Sequence, residues 1–299
     1  MNNLLNEFNL MHNIPQGAYS IRKNGESQIN STEEIVITPH KNKNGIKIRV
    51  KNGTKNKSLH LPVIISKGGF DELVYNDFYI EDNCDITIVG SCGIHNNTKN
   101  ASSHNGIHTF HIGKNCKVKY SEKHLAVGDY KNNSLSPITK IFLKDNSVFD
   151  IETVQLGGVS YSKRDTLASL NDNAKLIITE KIMTGNTDVT TSCFKVRLNG
   201  KNSSVKVVSR SVAKDNSLQD FYSTIIGKNQ CFGHVECDGI VIGNGKLSST
   251  PKVICNHPEA SLSHEATIGR IAGEQLTKLM TLGLTQSEAE DMIIKGFLR

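Results

Sequence analysis

Residues 171–208 read NDNAKLIITEKIMTGNTDVTTSCFKVRLNGKNSSVKVV, and they hold one pattern twice. Asn173 precedes the strand-like AKLIIT, and 29 residues later Asn202 precedes SSVKVV. Asn tolerates left-handed backbone and bonds its own chain locally, so it suits a corner that recurs. The pattern extends in both directions: Asn83 before CDITIV, Asn115 before CKVKYS, Asn146 before SVFDIE and Asn229 before QCFGHV. Successive intervals from Asn83 are 32, 31, 27, 29 and 27 residues. Hairpin strands recur every 8–12 residues, whereas a repeat near thirty fits one coil of a solenoid whose strands pair with those of the next coil. Between about 19 and 262 the apolar runs are short and alternate with period two (IVIT, IKIRV, DITIVG, LIITEK), without a convincing long amphipathic helix. The expected core is therefore an all-β solenoid over 19–262, with several short strands per coil. An antiparallel sandwich merely rich in Asn is the alternative.

Both ends differ from this core. Residues 1–18 carry Leu4, Leu5, Phe8 and Met11 on one helical stripe closed by Pro15, which predicts a short N-terminal helix. Residues 263–299 predict a two-helix appendage. Leu276, Leu279 and Met280 form one stripe, Gly283 and Leu284 the break, and Thr285 with Glu288 a capping box. Ala289, Met292, Ile293 and Phe297 then line the second helix.

Composition narrows the function classes. The chain has 299 residues, a net charge of 35 − 29 = +6, no Trp and 37% hydrophobic residues, enough for a real core. The Lys residues are scattered among Asn rather than clustered with aromatics, which gives no sign of nucleic-acid binding. No apolar run reaches membrane-spanning length and the N-terminus lacks a secretory pattern, so a cytoplasmic location is expected. Seven cysteines, an odd number, read as thiols. The signatures GxSxG, GxxxxGK[ST], HExxH and GxGxxG are all absent.

Two clusters carry chemistry-bearing residues. In Cys231-Phe-Gly-His-Val-Glu-Cys237-Asp-Gly, Cys231 and Cys237 share one strand face, alternating with His234 and Glu236. Some 27 residues beyond Cys237 stand His264 and Glu265. A thiol, an imidazole and a carboxylate suit iron or zinc, although strand-end polar residues explain each singly. The second cluster is His95, His104, His108, His111 and His124. His108 and His111 are expected on opposite strand faces, and structural roles are favoured over a metal-storing or metal-sensing site built on 95–124. Cys84 and Cys116 follow corner asparagines and read as buried inward residues, and Cys193 likewise reads as core.

HVECDGIVIG (234–243) and SHEATIGRIAGEQLTKLMTLGLTQSEAEDMIIKGFL (263–298) closely resemble the C-terminal half of the SufB/SufD family, the scaffolds of the SUF iron–sulfur assembly system. The resemblance rests on HEAT-x-G-x-I, EQL and the G-[LI]-[ST]-x-x-x-A-x-x-M-I-x-x-G-F tail. It is strong over roughly 200–299 and weaker over 80–200, where GIHTFHIGKNCKVKYSEKH (106–124) looks like the shorter members of minimal systems. It implies a right-handed parallel β-helix with a C-terminal helical pair, and an assembly scaffold rather than an enzyme. It also implies dimerisation through the β-helix edge, with itself or a SufB/SufD paralogue. A SufC-like ABC ATPase would dock on the C-terminal helices, here through Met280, Leu282, Met292 and Phe297. ATP-driven closure would twist the scaffold dimer and expose its cluster-building residues. By motif, Cys237 matches the interfacial sulfur acceptor and cluster ligand, and His264 and Glu265 the adjoining iron-ligand pair. Family members of the SufD kind carry His in place of Cys237 and lack the Glu, so the chain reads as SufB-like. Cys231, Glu236 and Asp238 are secondary candidates.

The cofactor so implied is a transient iron–sulfur cluster, with a sulfur donor and apo-protein acceptors as further partners. A bound flavin has no support in the sequence. Larger SufB proteins carry an upstream Cys inside the helix, where this chain has Ser169 nearby. Sulfur is then expected at Cys237 directly, or by way of another thiol such as Cys193. A β-helix carbohydrate-active enzyme is disfavoured by 6% aromatics without Trp.

Overall fold

The computed structural model describes residues 17–128 and 132–299, so the helical segment expected over 1–18 lies outside the described residues except for its last two, of which Ala18 opens a strand. Two antiparallel hairpins begin the described chain: β1 (Ala18–Lys23) with β2 (Glu26–Asn30), and β3 (Ile35–Pro39) with β4 (Gly45–Val50). After them the chain winds into coils of two strands each. The first are β5 (Lys55–Ile65) with β6 (Asp71–Ile80), and β7 (Asp85–His95) with β8 (Ser102–Ile112). In the next coil β9 (Lys117–Val127) is followed by the interrupted strand β10 (Asn133–Leu135) and β11 (Ile138–Leu143). Then come β12 (Val148–Leu156) with β13 (Tyr161–Leu170), and β14 (Lys175–Thr184) with β15 (Val189–Leu198). The last are β16 (Ser203–Ala213) with β17 (Leu218–Gly227), β18 (Cys231–Val241) with β19 (Lys246–Cys255), and β20 (Ala260–Gly269). Strands from successive coils pair in parallel, giving two ten-stranded sheets and a parallel β-solenoid of about eight turns.

The corner expectation holds at five of its six positions. Asn83, Asn115, Asn146, Asn173 and Asn202 all have φ between 53° and 60°, in the left-handed region that Asn tolerates. Their amides form a ladder: each Nδ2 donates to the Oδ1 of the corner Asn one coil earlier, starting from Asn52, at 3.1–3.3 Å. Asn229 is off the ladder by one residue. Ser203 pairs with Cys231, which sets Gln230 opposite Asn202, but neither Gln230 nor Asn229 has the positive φ of the other five corners.

Most paired strands run for nine to eleven residues, longer than their apolar runs, and there are two per coil rather than several. Alternation simply continues through inward positions held by polar side chains. In β13 the inward residues are Ser162, Arg164, Thr166, Ala168 and Leu170, of which only the last two are apolar. Elsewhere the space between the sheets is filled by stacked columns such as Phe78 on Phe110, with ring centroids 4.2 Å apart. Cys84 and Cys116 are buried in this core as expected.

Strand structure continues through Gly269, so His264–Gly269 lies on β20 and not in the helical tail. Pairing with β18 decides this, because it matches Val235 with His264 and Cys237 with Ala266. Among the described residues β19 and β20 each have a strand neighbour on one side only, so the last coil is open, with Val253 and Ile268 exposed. Two helices follow, α1 (Gly273–Thr281) and α2 (Gln286–Phe297), and the capping box of Thr285 and Glu288 starts α2. No residue of α1 is buried, whereas α2 buries Ala289 and Ile294. Ile294, absent from the expected apolar stripe, is a buried anchor, while Met292 on that stripe is exposed. The Arg210 guanidinium, on β16, donates to the Phe297 carbonyl at 3.1 Å and ties the end of α2 to the solenoid.

Candidate functional site

Cys237 sits mid-strand in β18 with its side chain inward and fully buried. Ser209 lies beside it on β16 and Ala266 on β20. Burial, more than any other cause, pushes its thiol up from the ordinary cysteine value, and the nearby carboxylates of Glu180 and Asp238 act the same way. The resting sulfur is therefore a protonated thiol one strand in from the open end of its sheet, and not a solvent-facing rim group.

His264 belongs to the neighbouring strand β20, and its register partner Val235 is an inward residue. The ring is half-buried, and burial lowers its pKa, with the charge of His234 adding to the effect. Its Nε2 is buried and has no hydrogen-bond partner among the described residues. A neutral imidazole keeps one nitrogen lone pair, so this ring is chemically able to accept a hydrogen bond or to bind a metal ion.

Glu265 does not join these two. It pairs in register with Glu236, and both belong to the alternate positions that face away from the interior. Asp238 shares this outer face, where burial and then the Glu236 charge raise its carboxyl. Lys206 Nζ lies 4.0 Å from Glu236. One chain thus turns Cys237 and His264 inward and Glu236, Asp238 and Glu265 outward. Among the described residues no three His, Cys, Asp or Glu side chains are grouped to hold a metal ion.

Two other thiols bear on the site, and the second differs from expectation. Cys231 occupies the inward corner column that also holds Cys84, Cys116, Ser147, Ala174 and Ser203, and it is buried like them. Cys193 is not core. It occupies an outward position of β15, half-buried between its register partners Asp165 and Tyr222. Ser169 is also outward, accepting from the Asn199 amide. A sheet separates both from the face that bears Cys237.

The His-rich segment divides as its spacing predicts. His104, His108 and His124 face inward, while His111 stands on the outer face, stacked between Tyr79 and Phe142. The inward imidazoles belong to a buried ionic network that sequence reading missed. Arg22 and His104 donate to Glu72, while Tyr120 and Arg164 donate to Glu122. Arg164 also lies 3.5 Å from Glu180, whose carboxylate accepts from Ser192 and Ser209. The available signal was parity: Glu72, Glu122, Arg164 and Glu180 all fall on inward positions of their strands. The network borders a small cavity of about 40 Å³ lined by Cys92, His104, His108 and His124. His124 is not free to hold a metal there. The Arg164 guanidinium donates to His124 Nδ1 at 2.9 Å, so the ring proton sits on Nε2, 3.3 Å from Glu122, and neither nitrogen is left to ligate.

These features define a class: a parallel β-solenoid with polar groups buried between its sheets, an open terminal coil and a C-terminal helical pair. Residues 75–297 match the family model for the SufBD core domain of SUF-system iron–sulfur cluster assembly, and the chain belongs to that family. A SufBD-family iron–sulfur cluster assembly protein of Methanocaldococcus jannaschii is 28% identical over 272 residues, covering 89% of this chain and 85% of its own. A Pyrococcus horikoshii member is 28% identical over 271 residues, covering 85% and 81% respectively. A Methanothermobacter thermautotrophicus member is also 28% identical, over 231 residues, covering 76% of this chain and 55% of its own.

Proposed function

We propose that the chain is a scaffold subunit on which iron–sulfur clusters are assembled and passed on, in the cytoplasm and in complex with an ABC-type ATPase. The observation that carries this reading is the unpaired, buried Nε2 of His264 on the interior side of β20, the same side to which the adjacent β18 turns the Cys237 thiol. A thiolate accepts persulfide sulfur and is a soft ligand for iron, and a neutral imidazole is a weaker one. Mixed, weak ligation suits a cargo that must leave.

One chain supplies two inward donors, so a complete ligand set requires a second copy or a paralogue docked on the open coil, where β19 and β20 lack outer neighbours. Glu265, on the outer face, would then serve an iron bound between subunits. Burial of Cys237 fits a resting state that the ATPase must open: parting the terminal coils would hydrate the sulfur and let it ionise. The outward placement of Cys193 disfavours it as a direct relay, which leaves delivery of sulfur to Cys237 itself. Met280, Leu282 and Met292 are exposed apolar side chains of the tail and, with the half-buried Phe297, form the docking surface for the ATPase.

Anaerobic reconstitution with ferrous iron and sulfide is expected to produce visible charge-transfer absorption in the chain. Cys237→Ala should abolish it and His264→Ala should weaken cluster retention. Full absorption in Cys237→Ala would sink the assignment. Separately, a chain lacking residues 273–299 should no longer co-purify with the ATPase while keeping the circular dichroism of its strands. Retained co-purification would place the ATPase contact elsewhere.

A further inference from the structure

One corner of the solenoid follows a packing rule. Where β6, β8, β11, β13 and β15 end, a large aliphatic side chain fills the turn opposite the small first residue of the next coil. Ile80, Ile112, Leu143, Leu170 and Leu198 form the large column, each in register with the next. Cys84, Cys116, Ser147, Ala174 and Ser203 are the small residues that follow them across the corner. The rule breaks at the last two rungs. Leu198 is followed in register by Gly227, and Gly227 by Cys255. Across the same corner the small column holds Cys231. The Cys231 sulfur fills the space that Gly227 vacates, lying 2.9 Å from where a Cβ on that glycine would stand. Cys255 is next in the same column, on the adjoining rung, near enough for its charge to act on the Cys231 thiol.

We infer that Cys231 and Cys255 form a dithiol site at the open corner of the terminal coil, which a peroxide closes to a disulfide. Cys255 is exposed and Cys231 buried, which sets their order of reaction. The Cys255 sulfur attacks one peroxide oxygen, the O–O bond breaks, and a sulfenic acid forms with release of water. The Cys231 sulfur then attacks the sulfenic sulfur. The S–O bond breaks, the leaving hydroxide takes the Cys231 proton to become a second water, and the S–S bond forms. Two thiols lose two electrons and one peroxide gains them. The buried Cys231 thiol, pushed up by burial and by the neighbouring Cys255 sulfur, stays protonated until the sulfenic acid is beside it. The product staples the start of β18 to the end of β19, the outermost strand of the second sheet.

The test uses the whole purified chain, reduced, then treated with hydrogen peroxide without iron, sulfide or ATPase, so failure of the scaffold reading does not affect it. Thiols counted after denaturation should fall from seven to five. Trypsin should then yield residues 229–246 joined to residues 253–270, separable by reductant. Because 229–246 holds both Cys231 and Cys237, the link must persist in Cys237→Ser and vanish in Cys231→Ser. Serine already occupies the Cys231 column at Ser147 and Ser203, so that variant keeps its fold. A link surviving Cys231→Ser, seven remaining thiols, or a disulfide joining two chains through Cys255 would each overturn the site.

Discussion

Arg164→Met is expected to lower the stability of the solenoid by about 3–5 kcal/mol, the usual cost of removing one partner from a buried ionic group. Arg164 lies inward on β13 and is almost completely buried. Its guanidinium donates to Glu122 at 3.1 Å and to His124 at 2.9 Å, and it lies 3.5 Å from Glu180. Burial alone would favour the neutral form of both carboxyls. Glu122 is nevertheless held well below the usual carboxylate range by the imidazole and guanidinium around it, whereas Glu180, with fewer cationic neighbours, is raised. Without the guanidinium both acids face a low dielectric with weaker compensation and must take up protons to fold. Arg164→Lys should also be damaging, because one ammonium cannot span three partners in the planar arrangement that a guanidinium offers. Glu122→Gln and Glu180→Gln added to Arg164→Met should recover most of the loss, since replacing all members of a buried ionic group is far milder than orphaning some. Urea unfolding at neutral pH measures these differences. A loss below about 1 kcal/mol in Arg164→Met would mean that water reaches the network.

The visibility of these groups in the sequence follows from what each position needs. The corners were legible because left-handed backbone admits few residue types, and Asn recurs at every coil from Asn83 to Asn202. Strand lengths were not, because periodicity is read from apolar residues and the inward rows include Arg164, Glu180 and Ser192. Cys193 reads as core from its residue type alone, yet its outward position follows from counting back from Phe194, which is buried. His264 reads as the start of the helical tail because the motif that contains it runs directly into α1. Only pairing with β18, a contact between distant residues, makes it strand. The same pairing separates Glu265 from Cys237, which no local spacing could reveal. Asn229 shows the limit of a corner signal in an Asn-rich chain: it stands one residue before the register position, which Gln230 holds, and that turn has no left-handed residue.

Acidification from pH 6.5 to 4 should cost the fold about 3 kcal/mol through His108 alone, at roughly 1.4 kcal/mol for each pH unit that separates its folded and unfolded values. Burial holds His108 near a pKa of about 4, against an ordinary 6.5, despite the attraction of Glu122. His104, His124 and Arg164 surround it as further like charges once it is protonated. The folded chain therefore keeps this imidazole neutral. Its contribution is complete above pH 6.5, and it drains as the unfolded chain takes up a proton that the folded chain refuses, until pH falls through the folded value. His124, also lowered by burial, acts in the same direction. Glu122, depressed when folded, adds a further loss below its unfolded value near 4.5. Glu180 opposes them, because its raised carboxyl takes a proton more readily in the folded state and so favours the fold as pH drops. The net slope across the window remains that of the histidines. Urea midpoints at half-unit steps should fall between pH 6.5 and 4, and His108→Gln should flatten that fall by close to one proton. An unchanged slope in His108→Gln would show that the imidazole is solvated and titrates alike in both states.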